Sequence, residues 1–161
     1  VTDVRVGTGL DVHPFADTAR PLVLAGVTIP DADGLAGHSD ADVVAHAVTD
    51  ALLGALALGD LGSRFGVDTP ELAGADSLGF VRVAAGDVAG AGWRVGNVDA
   101  VVVAQRPRLA AHVPAMRQGL ADALDADVGA VSVKATTTDR LGTIGRGEGI
   151  ACWATVTVVR G

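Results

Sequence analysis

Asp11 and His13 flank Val12 in the segment Asp11-Val12-His13. In an extended chain, side chains two apart emerge on one face, so a carboxylate and an imidazole stand side by side. Such a pair can ligate a metal ion, or it can simply make a hydrogen bond at a strand end. A second group lies in Gly37-His38-Ser39-Asp40-Ala41-Asp42, followed by His46 and Asp50. Asp42, His46 and Asp50 recur every fourth residue and form a polar stripe on a helix otherwise built of Val, Leu and Ala. The stripe is either a solvated face or a ligating one, and a histidine between two aspartates is unusual for the former. His38 and His46 would stand about 12 Å apart along a helix axis, too far to grip one ion together. The economical division puts His46 with Asp11 and His13 at a metal and leaves His38 at the helix N-terminus. Two imidazoles and one carboxylate suit a tetrahedral Zn²⁺ with an open position. The N–H groups and dipole at the helix start suit a phosphate.

A third group runs from Lys134 through Thr136, Thr137 and Thr138 to Asp139 and Arg140, then Gly145-Arg146-Gly147-Glu148-Gly149. The threonines offer hydroxyls and backbone N–H groups, and Asp139 offers the hard oxygen ligand that Mg²⁺ prefers beside phosphate oxygens. Glycines around Arg146 allow the backbone to turn toward a ligand, although a Gly-rich turn with a surface ion pair is the simpler reading of that stretch. No GxxxxGK[ST] or GxGxxG pattern occurs, which excludes a P-loop or Rossmann nucleotide site.

The elements that must position these groups are legible as patterns. Strands are expected over Val4–Val12, Pro21–Ile29, Val98–Ala104 and Ile150–Val159, with a shorter one over Val131–Ala135. Helices are expected over Ser39–Leu58, capped by Ser39 with Asp42 three residues on, and over Ser77–Ala91 and His112–Leu124. Thr136–Gly149 reads as a loop with one helical turn. Interleaved strands and helices predict an α/β fold (an α+β sandwich), with a mixed sheet of four to five strands and helices on one face.

The 161 residues suit one domain, and the apolar content of 49% with only 3% aromatic residues implies a core of Val, Leu, Ile and Ala. A formal charge of −7 argues against nucleic acid as a partner. It does not exclude a small phosphorylated ligand whose charge is offset by metals. Cys152 is the single cysteine, so neither an intrachain disulfide nor a thiolate cluster can form, and its apolar surroundings suggest a buried, inert thiol. Trp93 and Trp153 read as packing residues, and His112 as structural or surface. No secretory leader pattern opens the sequence and no apolar run reaches membrane-spanning length, so a cytoplasmic location without membrane partners is expected.

These groups occur in longer segments: Arg5-Val-Gly-Thr-Gly-Leu-Asp-Val-His-Pro-Phe15, Thr49-Asp50-Ala-Leu-Leu-Gly54, Leu58-Gly-Asp-Leu-Gly62, Gly74-Ala-Asp-Ser77, Gly96-Asn-Val-Asp99, Lys134-Ala-Thr-Thr-Thr138 and Gly145-Arg-Gly-Glu-Gly-Ile-Ala151. Together with Gly37-His-Ser-Asp40, they resemble, in order and over essentially the whole length, the 2-C-methyl-D-erythritol 2,4-cyclodiphosphate synthase family. The resemblance implies one domain over residues 1–161, in a homotrimer whose sheets face a central axis and whose active sites lie between subunits. It implies conversion of 4-diphosphocytidyl-2-C-methyl-D-erythritol 2-phosphate to the cyclic diphosphate with release of CMP, in the non-mevalonate route to isoprenoids. A metal-dependent phosphohydrolase is the alternative reading of the same site.

By the same resemblance, Asp11, His13 and His46 are Zn²⁺ ligands, and Asp139 binds a second ion, Mg²⁺ or Mn²⁺. His38 and Ser39 hold the attacking phosphate, and Thr137 contacts the diphosphate. Asp60 and Phe65 serve the erythritol. Ala104, Pro107, Arg108, Leu109 and Ala110, with Lys134, Ala135 and Thr136, form the cytidine pocket. Arg146 and Glu148 lie near the trimer axis. The chain departs from the family pattern at Asp139, where glutamate is usual, at Phe65-Gly66-Val67, where Phe-Pro-Asp is usual, and at Thr8, where histidine is common.

Overall fold

The computed structural model describes residues 2–66 and 74–160. Val67, the last position of one departure, lies outside the described residues. Strand β1 (Asp3–Pro14) pairs antiparallel with β6 (Gly149–Arg160), and β6 pairs antiparallel with β4 (Arg94–Val103). Strand β5 (Val131–Thr136) closes the order β1-β6-β4-β5 and runs parallel to β4. Parallel neighbours need a crossover, which helix α4 (Val113–Leu124) supplies. The mixed four-stranded sheet backed by helices is the architecture the patterns predict.

The expected strand over Pro21–Ile29 is instead a hairpin, β2 (Leu22–Leu24) and β3 (Val27–Ile29), in a separate two-stranded sheet. Ala25 and Gly26 turn the chain with φ of 51° and 74°, the left-handed pair that a two-residue hairpin loop demands. The expected helix from Ser39 starts later, as α1 (Val43–Ala55), with Asp42 as its N-cap. Ala41 has φ of 58°, which breaks the helical path before Asp42. Ser39 cannot cap this helix, because its hydroxyl is turned toward His46 and Ser77.

Helix α1 is apolar almost all round and lies buried between the sheet and helix α3 (Leu78–Gly90). Short helices α2 (Leu61–Phe65) and α5 (Gly142–Gly145) complete the described elements, with one 3-10 turn at Val128–Ala130. Asp42 ties α1 to the hairpin. Its carboxylate is fully buried and accepts N–H groups from Ala25, Gly26, Val44 and Ala45 at 2.7–3.0 Å. Burial pushes this carboxyl up to about 6, against the pull of the backbone N–H donors. It therefore belongs to the interior and not to an open polar stripe.

Gly7 and Gly9 alternate with outward-facing residues on β1, so both face α1. A Cβ built at Gly7 would stand 1.9 Å from the Ala51 carbonyl oxygen, and one at Gly9 would stand 2.0 Å from that of Ala47. Glycine here is what allows backbone to approach backbone. On the other side of the sheet, Val4, Val6, Leu10, Val12 and Trp153 are more than half exposed. Trp153 thus does not pack within its own chain as expected, whereas Trp93 is buried with Arg5 and Arg160 over its ring. Cys152 is buried, and burial pushes its thiol pKa well up.

Gly9→Ala is expected to destabilise the fold by about 2 kcal/mol or more, because helix or strand must move aside. That corresponds to a melting temperature lower by roughly 5 °C. Gly86→Ala on α3, whose Cβ would meet nothing within 4 Å, is expected to be neutral or mildly stabilising. Equal melting temperatures for the two variants would refute the close-approach constraint.

Candidate metal centre and substrate cavity

Alternation along β1 turns Asp11 and His13 to the same side as Gly7 and Gly9, where α1 passes. His46 projects from α1 one residue before the Ala47 contact. As a result the Asp11 Oδ2 atom lies 2.9 Å from His13 Nε2 and 3.0 Å from His46 Nδ1. One ligand atom from each residue falls within 4.8 Å of the others, the only such group of three among the described residues. His46 joins the strand pair as expected, and His38 stands outside the group.

The donor chemistry fits a divalent cation. His13 Nδ1 lies 2.5 Å from the Ala36 carbonyl oxygen, which can only accept, so the ring hydrogen sits there and Nε2 offers its lone pair. Facing a carboxylate oxygen, that lone pair requires either a proton or a metal ion between them. Two imidazole nitrogens and one carboxylate oxygen suit a borderline ion such as Zn²⁺. Burial alone would raise the pKa of Asp11, but the hydrogen bonds from His13 and His46 outweigh it and hold the carboxyl far below its usual range. The hydrogen bond to Asp11 raises His13, against the opposing effect of burial.

Other residues set this geometry. Arg20 donates to the carbonyls of Gly37 and Ser39 at 2.8 and 2.5 Å and pins the loop that carries His38. His38 is exposed on that loop, and its carbonyl accepts from the Gly74 N–H at 2.9 Å. It does not sit at a helix start: α1 begins at Val43, and Asp42 already occupies the N–H groups of Val44 and Ala45. The expected phosphate site at that helix end is therefore taken by the chain's own carboxylate. Ser39 is buried, with its hydroxyl 3.2 Å from His46 Nε2 and 3.1 Å from Ser77 Oγ.

Asp60 caps α2 and closes a reciprocal capping box with Ser63, while Asp50 accepts the Leu61 N–H at 2.7 Å. Phe65 packs at a tilt against Phe80 with ring centroids 4.8 Å apart, and Phe80 lies 6.1 Å from the His46 ring. Those rings link the Asp60–Phe65 segment to the metal centre.

A separate cavity of about 360 Å³ is lined by Ala104, Gln105, Pro107, Arg108, Leu109, Ala110, Ala135, Thr136 and Thr137. It gathers the expected cytidine-pocket residues except Lys134, and it adds Gln105. Lys134 is not among these lining residues, and its Nζ pairs with Asp99 at 2.7 Å. Thr137 and Asp139 bond to each other, the Asp139 N–H donating to Thr137 Oγ1 at 3.2 Å, and Asp139 stands outside the three-residue metal group. Arg146 and Glu148 form an exposed ion pair at 2.5 Å, before and at the edge of β6. Arg20 and Phe80 were not singled out by the patterns, and Asp40 and Ser77 were named without their hydrogen-bonding roles, since each acts through partners distant in sequence.

These features define an α/β protein with a compact three-residue site suited to a divalent metal and a separate cavity on the same fold. The chain belongs to the YgbB family, whose family model matches residues 4–159. It is 51% identical over 158 residues to the 2-C-methyl-D-erythritol 2,4-cyclodiphosphate synthase of Burkholderia mallei (strain SAVP1), covering 98% of this chain and 97% of that protein. The structure is similar to the bifunctional IspDF of Campylobacter jejuni, with a TM-score of 0.95 and 41% identity; all of this chain is covered, and it spans 43% of that longer protein. It is also similar to a CDP complex of IspF from Plasmodium falciparum, with a TM-score of 0.85, 31% identity, and coverage of 98% and 96%. Among the described residues, no helix is long and apolar enough to cross a membrane.

In the metal-free chain, the depressed Asp11 contributes stability above its ordinary pKa of 3.8 and loses it as pH falls through the folded value. The raised His13 contributes stability below its ordinary 6.5 and loses it as pH rises through its folded value. The Asp11–His13 contribution is thus fullest between those two ordinary values, and the melting temperature of metal-free protein should fall as pH rises above that window. Zn²⁺-saturated protein should not show that fall, because the metal replaces the proton. Calorimetry of both forms across pH tests this, and parallel profiles would count against a shared site.

Proposed function

We propose that residues 1–161 act as one cyclodiphosphate synthase domain, converting 4-diphosphocytidyl-2-C-methyl-D-erythritol 2-phosphate to 2-C-methyl-D-erythritol 2,4-cyclodiphosphate with release of CMP. The observation that carries this reading is the convergence of Asp11, His13 and His46, in a chain matching a protein named for that product over 98% of its length. The proposed setting is non-mevalonate isoprenoid precursor synthesis in the cytoplasm.

The reaction is an internal phosphoryl transfer, and so a phosphorus–oxygen lyase step. An oxygen of the substrate's 2-phosphate bonds to the β-phosphorus as that atom's bond to the bridging oxygen breaks, and CMP departs with the bridging oxygen. No protein nucleophile is needed, which agrees with the burial of Cys152. The work left to the protein is positioning and charge neutralisation. Asp11, His13 and His46 would hold a divalent ion (zinc or another transition metal) that would supply positive charge to a substrate phosphate, and Asp139 would hold the Mg²⁺ or Mn²⁺ that accompanies the diphosphate.

His38, on the loop that Arg20 pins, is assigned the attacking phosphate, and Ser39 contributes through the same loop while its hydroxyl faces inward. Thr137 on the cavity rim is assigned the diphosphate, and the cavity itself the cytidine, with Lys134 acting from outside its lining. Asp60 and Phe65 are assigned the erythritol.

Two observations support a homotrimer with sites between subunits. The exposed apolar face of the sheet, with Val6 at 59% and Trp153 at 55% exposure, is the kind of surface that subunits cover. The metal triad and the cavity also share no residue, so facing subunits can bring the two together. Arg146 and Glu148 are placed near the axis of that trimer.

Phosphorus NMR of the reaction mixture is expected to show the cyclic diphosphate and CMP; inorganic phosphate or an open-chain product would point to a phosphohydrolase and sink the proposal. His46→Ala is expected to lose bound metal and turnover together, each by more than about 100-fold, beyond the loss typical of an outer hydrogen-bond partner.

A further inference from the structure

Asp60 caps helix α2 and Phe65 ends it, yet little in the packing of α2 fixes where it sits. A helix of five residues is too short to persist by itself in water, and no residue of α2 is buried. Apolar burial therefore contributes little to its placement, which falls to directional contacts with neighbouring elements.

Those contacts are divided between the two ends. At the far end Arg64 pairs with Asp87 of α3, Nε to Oδ2 at 2.8 Å and Nη2 to Oδ1 at 3.3 Å, and Phe65 packs against Phe80 of the same helix. At the near end Asp50 of α1 accepts the N–H of Leu61, the first residue of α2, at 2.7 Å. The capping box between Asp60 and Ser63 is internal to the segment, so it shapes the turn but does not place it. Among the described residues, the Asp50–Leu61 bond is the only hydrogen bond from residues 59–63 to another element. Asp50 stands one turn beyond His46 on α1, on the same side of the helix. The bond to Leu61 therefore sets Asp60, its immediate neighbour, against the helix that carries His46.

We infer that Asp50 is a positioning residue, whose carboxylate braces the start of α2 through the Leu61 N–H and so holds Asp60 in place for the erythritol part of the substrate. This rests on the assignment of Asp60 to the erythritol in the proposed reaction and deepens it. Because the brace acts through a backbone N–H, position 50 must provide an acceptor oxygen and not a negative charge.

Three substitutions separate those requirements. Asp50→Ala removes the acceptor. Asp50→Asn removes the charge but keeps an amide oxygen that can accept the same N–H. Leu61→Pro removes the donor and leaves Asp50 intact. Proline suits the first position of a helix, and Asp60 before it already has the extended backbone, φ −139° and ψ 176°, that a residue preceding proline adopts.

Steady-state kinetics with the full substrate, titrations with Zn²⁺ and with CDP, and hydrogen exchange at the Leu61 amide read the outcome. Asp50→Ala is expected to lower kcat/KM by about 10- to 100-fold, the range for losing a hydrogen bond to a charged group, and to speed exchange at Leu61. Its affinities for Zn²⁺ and CDP are expected to match wild type, because neither ligand contains the erythritol. Asp50→Asn is expected to retain both kcat/KM and the protection of Leu61. Leu61→Pro is expected to match Asp50→Ala, and the double variant to be no worse than either alone, since both changes remove one bond. If Asp50→Ala does not fold, Leu61→Pro against Asp50→Asn decides the question. Equal losses in Asp50→Ala and Asp50→Asn would make the charge the active feature and overturn the inference. So would an unchanged kcat/KM in Asp50→Ala, or a loss shared by the Zn²⁺ and CDP affinities, which is the mark of a general disturbance of the fold. A wild-type protein that makes no cyclic diphosphate would overturn the proposed reaction, whereas a wild type that makes it, with every variant unchanged, would overturn only the role of Asp50.

Discussion

Backbone packs on backbone where β1 crosses α1, and the candidate site hangs from that contact. Gly7 and Gly9 present bare Cα atoms to the carbonyls of Ala51 and Ala47, a separation that no side chain on either glycine would permit. Gly9 is two residues before Asp11 on the same face of the strand, and Ala47 directly follows His46 on the helix. The close approach of Gly9 to Ala47 therefore brings the Asp11 carboxylate within 3.0 Å of the His46 ring. Protein interiors transmit displacement because they are tightly packed, so a shift of helix against strand would be felt first at this hydrogen bond.

Buried polar groups add a second level of constraint, and each is satisfied from more than one element. Asp42 gathers N–H groups from the hairpin turn and from the first turn of α1, which locks the two pieces in one orientation. Asp40 and Ser77 join the loop before α1 to the start of α3, and Arg20 ties the β1–β2 connection to the loop that carries His38. The apolar core supplies the driving force for collapse, but these directional contacts choose one arrangement of loops around the histidines. The Asp42 carboxylate is committed to backbone donors and that of Asp11 to two imidazoles.

Two features of the single chain bear on the proposed trimer. Its sheet is covered by helices on one side and presents valines, Leu10 and Trp153 on the other. The metal triad and the cavity lie in different sets of residues. In the proposed trimer the open face of the sheet would serve as an interface, and facing subunits would bring the triad and the cavity together.

Much of this was legible in the residues themselves. Period-two and period-3.6 patterns located β1, β4, β6, α1, α3 and α4, because those elements bury one face or all of their surface, and the pairing of Asp11 with His13 follows from strand geometry alone. Helix spacing likewise separated His38 from His46. The true start of α1, the hairpin at Ala25–Gly26 and the outward exposure of Trp153 were not legible, since each depends on which neighbour a residue meets. Ser39 looked like a helix cap by its spacing to Asp42, yet its hydroxyl serves His46 and Ser77, and Asp42 serves the hairpin as well as the helix. Local sequence determines periodicity and turn chemistry, which act over a few residues. Only the tertiary structure decides which donor finds which acceptor across tens of residues, and it decided here that Asp11, His13 and His46 meet at one point.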